Sequence, residues 1–66
     1  MTIEELKQST KVFVSPADIA PILRCDAQGL RYQAKEAPHA LGFPTVRVGS
    51  RIRIPRIPFL RFIGEL

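Results

Sequence analysis

The chain reads as a small α+β domain built from two short helices joined by a tight turn, a two-stranded antiparallel hairpin and a short closing helix. Three observations predict this. Ser15-Pro16 and Asp26 are helix-start signals, each followed by apolar residues at helical spacing. "TVRVGSRIRIPR" (residues 45–56) alternates small aliphatics with arginines on both sides of a Gly-Ser break, as a half-buried strand pair does. Pro58 then precedes "FLRFIG", an apolar stretch ending in a glycine. At 66 residues and 7.4 kDa the chain is one domain, near the lower limit for a self-sufficient core.

Residues 1–11 carry an amphipathic fragment, Ile3 and Leu6, with no second turn of apolar support, which predicts a frayed or short helical arm. The domain proper is expected over 12–66. "VFV" (Val12–Val14) is either a strand stub or a buried lead-in. Ser15 then offers an N-cap, Pro16 a preset φ at the first helical position, and Asp18 a negative charge in the first turn. Ile19, Ile22 and Leu23 form the apolar stripe of a helix of about eight residues. Pro21 lies inside it and removes one backbone hydrogen bond.

Asp26 can cap a second helix whose core face is Ala27, Leu30 and Ala34 and whose outer face is Gln28, Arg31, Tyr32 and Lys35. Helix, tight turn, helix is a helix-turn-helix spacing, and equally that of a plain αα-hairpin with a solvated face. Gly29 costs roughly 1 kcal/mol in mid-helix relative to alanine. It serves either a close approach by another helix or a phosphate backbone, or is a tolerated weakness. "APHALGFP" (residues 37–44) is a loop, with Leu41 and Phe43 expected under the sheet and His39 solvated.

Parity argues the hairpin register. A two-residue Gly49-Ser50 loop sets Val48 beside Arg51 and Arg47 beside Ile52, mixing aliphatics with arginines on each face. A three-residue loop pairs Val48 with Ile52, Arg47 with Arg53 and Val46 with Ile54, and turns every aliphatic inward. The expectation is therefore an odd loop or bulge with Arg51 at its tip. Arg47 and Arg53 would then be opposed like charges, relieved by a partner that supplies phosphates. In the closing helix, expected to open at Pro58, Phe59, Leu60, Phe62 and Ile63 are apolar and Gly64 is the terminator.

Charge is divided unevenly. Residues 1–36 hold five basic and five acidic side chains, whereas residues 37–66 hold five arginines against Glu65, so the whole excess of +4 lies there. Such a patch attracts a polyanion: nucleic acid first, an acidic protein second, anionic lipid third. One cysteine, Cys25, makes no internal disulfide, and with one histidine it completes no zinc site. No apolar run approaches the ~20 residues of a membrane span, and no signal peptide opens the chain. No nucleophile, acid pair or second histidine accompanies His39, so no catalytic constellation is present. A soluble, cytoplasmic, non-enzymatic protein without cofactor, metal or small-molecule ligand is expected, with no role at a membrane.

The order of parts carries a resemblance. "VSPADIAPILRCDAQGLRYQAKE", "FPTVRVGSRIRIPR" and a short apolar helix together resemble the excisionase-type winged helix-turn-helix, related to the DNA-binding domains of MerR-family regulators. The likeness spans about residues 12–64. "VRVGSRIRIPR" is similar to the family's wing, and "LRYQ" resembles the MerR-type second helix. Arg24 and Cys25 stand where the family usually has a glycine and an aliphatic, Pro21 is atypical, and the loop before the hairpin is longer than usual.

The resemblance implies a recombination directionality factor of a phage or conjugative element. Such a protein is bacterial and acts at the nucleoid. It binds and bends double-stranded DNA at adjacent sites, self-associates there cooperatively, and helps a tyrosine or serine integrase to excise. It implies that Gln28, Arg31, Tyr32 and Lys35 enter the major groove. Arg47, Ser50, Arg51 and Arg53 would follow the phosphates or dip into the minor groove. The chemistry agrees: Gln28 suits adenine, Arg31 suits guanine O6/N7, and wing arginines suit phosphates or a narrow A·T minor groove. Tyr32 either reaches a phosphate or sugar or covers the core. Arg24 and Arg56 are further phosphate candidates, and Arg61 is solvated. A small transcription regulator on the same fold is the alternative. A protein-interaction module gripping an acidic partner is the third reading.

Overall fold

The computed structural model describes all 66 residues. In chain order it contains α1 (Ile3–Gln8), β1 (Phe13–Val14), α2 (Pro16–Leu23), α3 (Ala27–Glu36), a single 3₁₀ turn (Pro38–Ala40), β2 (Val46–Val48), β3 (Arg51–Pro55) and α4 (Arg56–Phe62). The architecture is a small α+β domain of four helices and an antiparallel three-stranded sheet ordered β1-β3-β2. The sheet therefore has one strand more than the expected hairpin. β1 is the "VFV" stub, and it pairs Phe13 with Pro55 and Val14 with Ile54.

Helix starts follow local chemistry. Ser15 Oγ accepts from the Asp18 amide while the Ser15 amide donates to Asp18 Oδ2, a reciprocal box that satisfies two amides lacking helical partners. Thr2 and Glu5 repeat the arrangement at α1. Asp26 Oδ2 accepts from the Gly29 amide at the head of α3. α2 continues through Pro21, which sits six residues in and leaves the Ala17 carbonyl without its usual donor. α4 starts at Arg56 rather than Pro58. Pro58 occupies its third position, where an amide would have no intrahelical acceptor anyway. Gly64, at φ +83°, ends α4 with Glu65 N–H donating to Leu60 O and Gly64 N–H to Arg61 O.

One cluster holds these parts together: Leu6, Val14, Ile19, Leu30, Phe43, Ile54, Phe59 and Leu60. α1, β1, α2, α3, β3, α4 and the loop each give at least one member; β2 gives none. Phe43 packs edge-on against Phe59 at 5.1 Å, confirming its expected burial, and also meets Phe62 at 5.2 Å. On α3, Leu30 and Ala34 are buried and Ala27 half-buried.

The N-terminal segment is helical and docked. Leu6 is 0% exposed, and Arg56 fixes the end of α1 from across the chain. Its Nε donates to Lys11 O at 2.8 Å, and its Nη1 donates to Leu6 O at 3.0 Å and Lys7 O at 3.5 Å. The Arg56 amide also donates to Val12 O. Arg56 thus spends its guanidinium on backbone carbonyls, which corrects its reading as a phosphate candidate.

The hairpin register is the second correction. Val46 pairs with Arg53, Arg47 with Ile52 and Val48 with Arg51, so the loop is the two residues Gly49-Ser50. Ser50 is at the tip, Arg51 opens β3, and Arg47 does not oppose Arg53. Gly49 has φ +62° and Ser50 does not share the positive φ, the pattern of a type II′ turn, for which Gly-Ser is well suited. Turn chemistry prevails over parity because the core takes aliphatics from only one strand of the pair. Ile52 and Ile54 are buried, while Val46 and Val48 remain exposed. No helix in this structure is long and apolar enough to cross a membrane.

Candidate nucleic-acid interface

α3 packs beside β3, and the outer face of α3 continues onto the hairpin. Gln28, Arg31, Tyr32 and Lys35 recur at helical spacing and are all exposed. With Arg47, Ser50 and Ile52 they line one groove. A second depression adjoins it, lined by Arg31, Ser50, Arg51, Ile52 and Arg53 together with Ser15 and Pro16 at the head of α2. Arg31, Ser50 and Ile52 belong to both, so the two form a continuous surface. Every expected binding residue except Arg24 lies on it, and no acidic side chain lines it.

Tyr32 is 69% exposed, which settles its two readings against a role in covering the core. Arg47 faces the α3 side of the sheet, and its Nε donates to Gly49 O at 3.2 Å, bracing the turn. Arg31, Lys35, Arg51 and Arg53 make no side-chain hydrogen bond within the chain. The only ion pair, Lys7 with Glu65 at 3.4 Å, lies elsewhere. Four uncompensated cations on one surface repel each other and are relieved by a polyanion.

Arg24 stands apart from the groove, at the turn between α2 and α3. It adopts φ 56° and ψ 45°, the left-handed region. Cys25 N–H donates to Ala20 O and Arg24 N–H to Pro21 O, the same bonding that Gly64 makes at α4. The tight turn is therefore formed with an arginine in a conformation that favours glycine. Its side chain is exposed and unbonded.

One feature of this surface had no local signature: the α2 head enters it because β1 pairs with β3, which places Ser15 beside the hairpin. Comparison of the chain with family models, curated proteins and solved structures finds no match to any of them.

Proposed function

We propose that this protein is a winged helix-turn-helix that binds double-stranded DNA. α3 enters the major groove, and the β2–β3 hairpin acts as the wing on the backbone and the adjacent minor groove. The observation that carries the reading is the continuous surface formed by Gln28, Arg31, Tyr32, Lys35, Arg47, Ser50, Arg51 and Arg53, whose cations meet no carboxylate within the chain and which is free of acidic residues. An exposed helix with a forked donor suited to guanine and an amide suited to adenine gives base readout. The wing cations give position and affinity. Within that class the likeness in sequence favours an excisionase: a DNA-bending accessory protein, not a catalyst, that assists an integrase and assembles on adjacent sites.

Fluorescence anisotropy on duplexes over a salt series tests the DNA reading. Affinity should fall linearly on a log–log plot against salt. R31A should lose about 1–3 kcal/mol on the specific duplex and relax preference at one base pair. R51Q should weaken all duplexes alike and lower the salt slope by about one. Absence of salt-dependent binding to any duplex refutes the proposal and leaves an acidic protein as the partner. A footprint on DNA flanking the protein's own gene separates the biological roles. Several phased sites mark an excisionase, and a single promoter site marks a regulator.

A further inference from the structure

Three of the four glycines have a reason inside the fold. Gly49 and Gly64 hold a positive φ, and Gly42 holds one and also lies against Phe62. Gly29 has neither reason. It sits in the first turn of α3, and a Cβ there would meet only Asp26 Oδ2 at 3.9 Å and Asp26 Cβ at 4.0 Å, which is ordinary contact. Its amide donates to Asp26 Oδ2, a bond that any residue could make. Glycine costs a helix stability relative to alanine, and no contact within the chain offsets that cost here. Close packing by another helix of this chain, one of the two reasons expected for it, does not occur: no other element comes within 4 Å.

We infer that Gly29 is the point at which α3 comes closest to the bases, its bare backbone admitting a base edge nearer by the depth of a methyl group. The inference rests on the DNA reading above and names the residue that sets how deeply α3 seats in the major groove. Helical spacing places Gly29 beside Gln28 and one turn before Tyr32, on the exposed face of the helix. The neighbouring charge decides between bases and phosphates. Asp26 caps the same turn, outside the two depressions, and its carboxylate borders the space over Gly29. A carboxylate repels a phosphate oxygen but accepts from the amino groups that cytosine and adenine present in the major groove. A second copy of this chain docking through the same turn would bring Arg31 and Lys35 towards their own equivalents, which like-charge repulsion disfavours.

The test sets stability against affinity in a series of growing side chains. G29A should melt about 2–8 °C higher than wild type. On a duplex carrying one specific site it should nevertheless bind about ten- to a hundredfold more weakly, the order that one added methyl group costs in a close-packed contact. Random-sequence duplexes, held through phosphates, should lose little, and the salt slope should be unchanged because no charge is altered. G29V fills the space further and should bind more weakly again while melting no lower than wild type. Loss of folding cannot produce that ordering. Q33A also raises helix propensity in α3, outside the groove, and should bind as wild type does. Wild-type affinity in G29A makes the glycine a tolerated weakness and overturns the inference, leaving the DNA reading standing. An equal loss in Q33A traces the effect to helix stiffness, and an equal loss on specific and random duplexes puts a phosphate over Gly29; either result refutes the inference. So does a loss confined to duplexes with several sites, which assigns the position to contact between copies. Wild-type protein that binds no duplex refutes the DNA reading itself.

Discussion

Replacing Arg24 by glycine should make the protein more stable. Arg24 holds φ 56°, where a side-chain Cβ crowds the following carbonyl, at a cost of roughly 1–2 kcal/mol for a non-glycine residue. Glycine removes that crowding but gains about 0.5–1 kcal/mol of conformational freedom in the unfolded chain. The balance is a stabilisation of about 0.5–1 kcal/mol. The arginine side chain is exposed and makes no hydrogen bond, so the folded state loses no contact. For a domain of this size 1 kcal/mol moves the melting temperature by about 4–8 °C, so R24G should melt about 2–8 °C higher. Thermal and urea unfolding followed by far-ultraviolet circular dichroism measure it, with R24A as the control. Alanine removes the charge but keeps the Cβ, and so should gain nothing. If R24G melted no higher than R24A, the argument from backbone strain would be wrong. A strained cap with an idle side chain suggests a role outside the fold. Both variants should therefore lose DNA affinity equally, through the shared loss of the guanidinium.

Other perturbations separate strain, packing and electrostatics. G49A meets no atom within 4 Å and should cost only its positive φ, about 1 kcal/mol in unfolding free energy. G42A adds a clash to a positive φ: its Cβ would fall 2.6 Å from Phe62 Cε1, so its loss in denaturant titration should exceed that of G49A. R56A removes the donors to Leu6, Lys7 and Lys11 carbonyls and should cost about 2–4 kcal/mol, with accelerated amide exchange confined first to α1. R56K should recover little, because one ammonium does not span acceptors arranged for a planar fork. Hydrogen bonds from the Thr2 backbone and then its side chain hold the Glu5 carboxyl below its ordinary value of 4.5. A depressed folded value means the cap is complete above that ordinary value and is lost as pH falls through the lower one. Amide shifts of Thr2 and Glu5 across an acid titration should report that loss, and unchanged shifts would contradict it.

What could be read from the sequence alone was what lies within about four residues along the chain. Ser15, Asp18 and Asp26 set the starts of α2 and α3 through contacts three residues long, and Gly64 sets the end of α4. The polar face of α3 follows from helical spacing, so Gln28, Arg31, Tyr32 and Lys35 could be assembled before any tertiary contact was known. The docking of α1 could not, because Arg56 reaches its carbonyls across 45 to 50 residues. Nor could the third strand, since two residues of "VFV" carry too little pattern to name their partner.

The hairpin shows the competition most clearly. Parity assumed that four aliphatics on two strands are meant for one core. The cluster that forms is small, and helices, β1 and Phe43 already supply most of it. β3, central in the sheet, gains from burying Ile52 and Ile54; β2, at the edge, has nothing left to pack against. With no burial to be won on β2, the local preference of Gly49-Ser50 for a two-residue turn decides the register. Shifting the register by one residue would bury Val46 and Val48 only by opening that turn. The same choice puts Arg47 on the α3 side of the strand pair and Arg51 and Arg53 beside the valines, and the two sets meet in one surface where the depressions share Arg31, Ser50 and Ile52. Lengthening the loop by one residue after Ser50 should therefore disturb DNA binding more than stability. It would rotate one strand's arginines away from the groove while Ile52 and Ile54 stay buried. An insertion variant that melted at a lower temperature yet, while still folded, kept its affinity would show that the turn serves the core and not the interface.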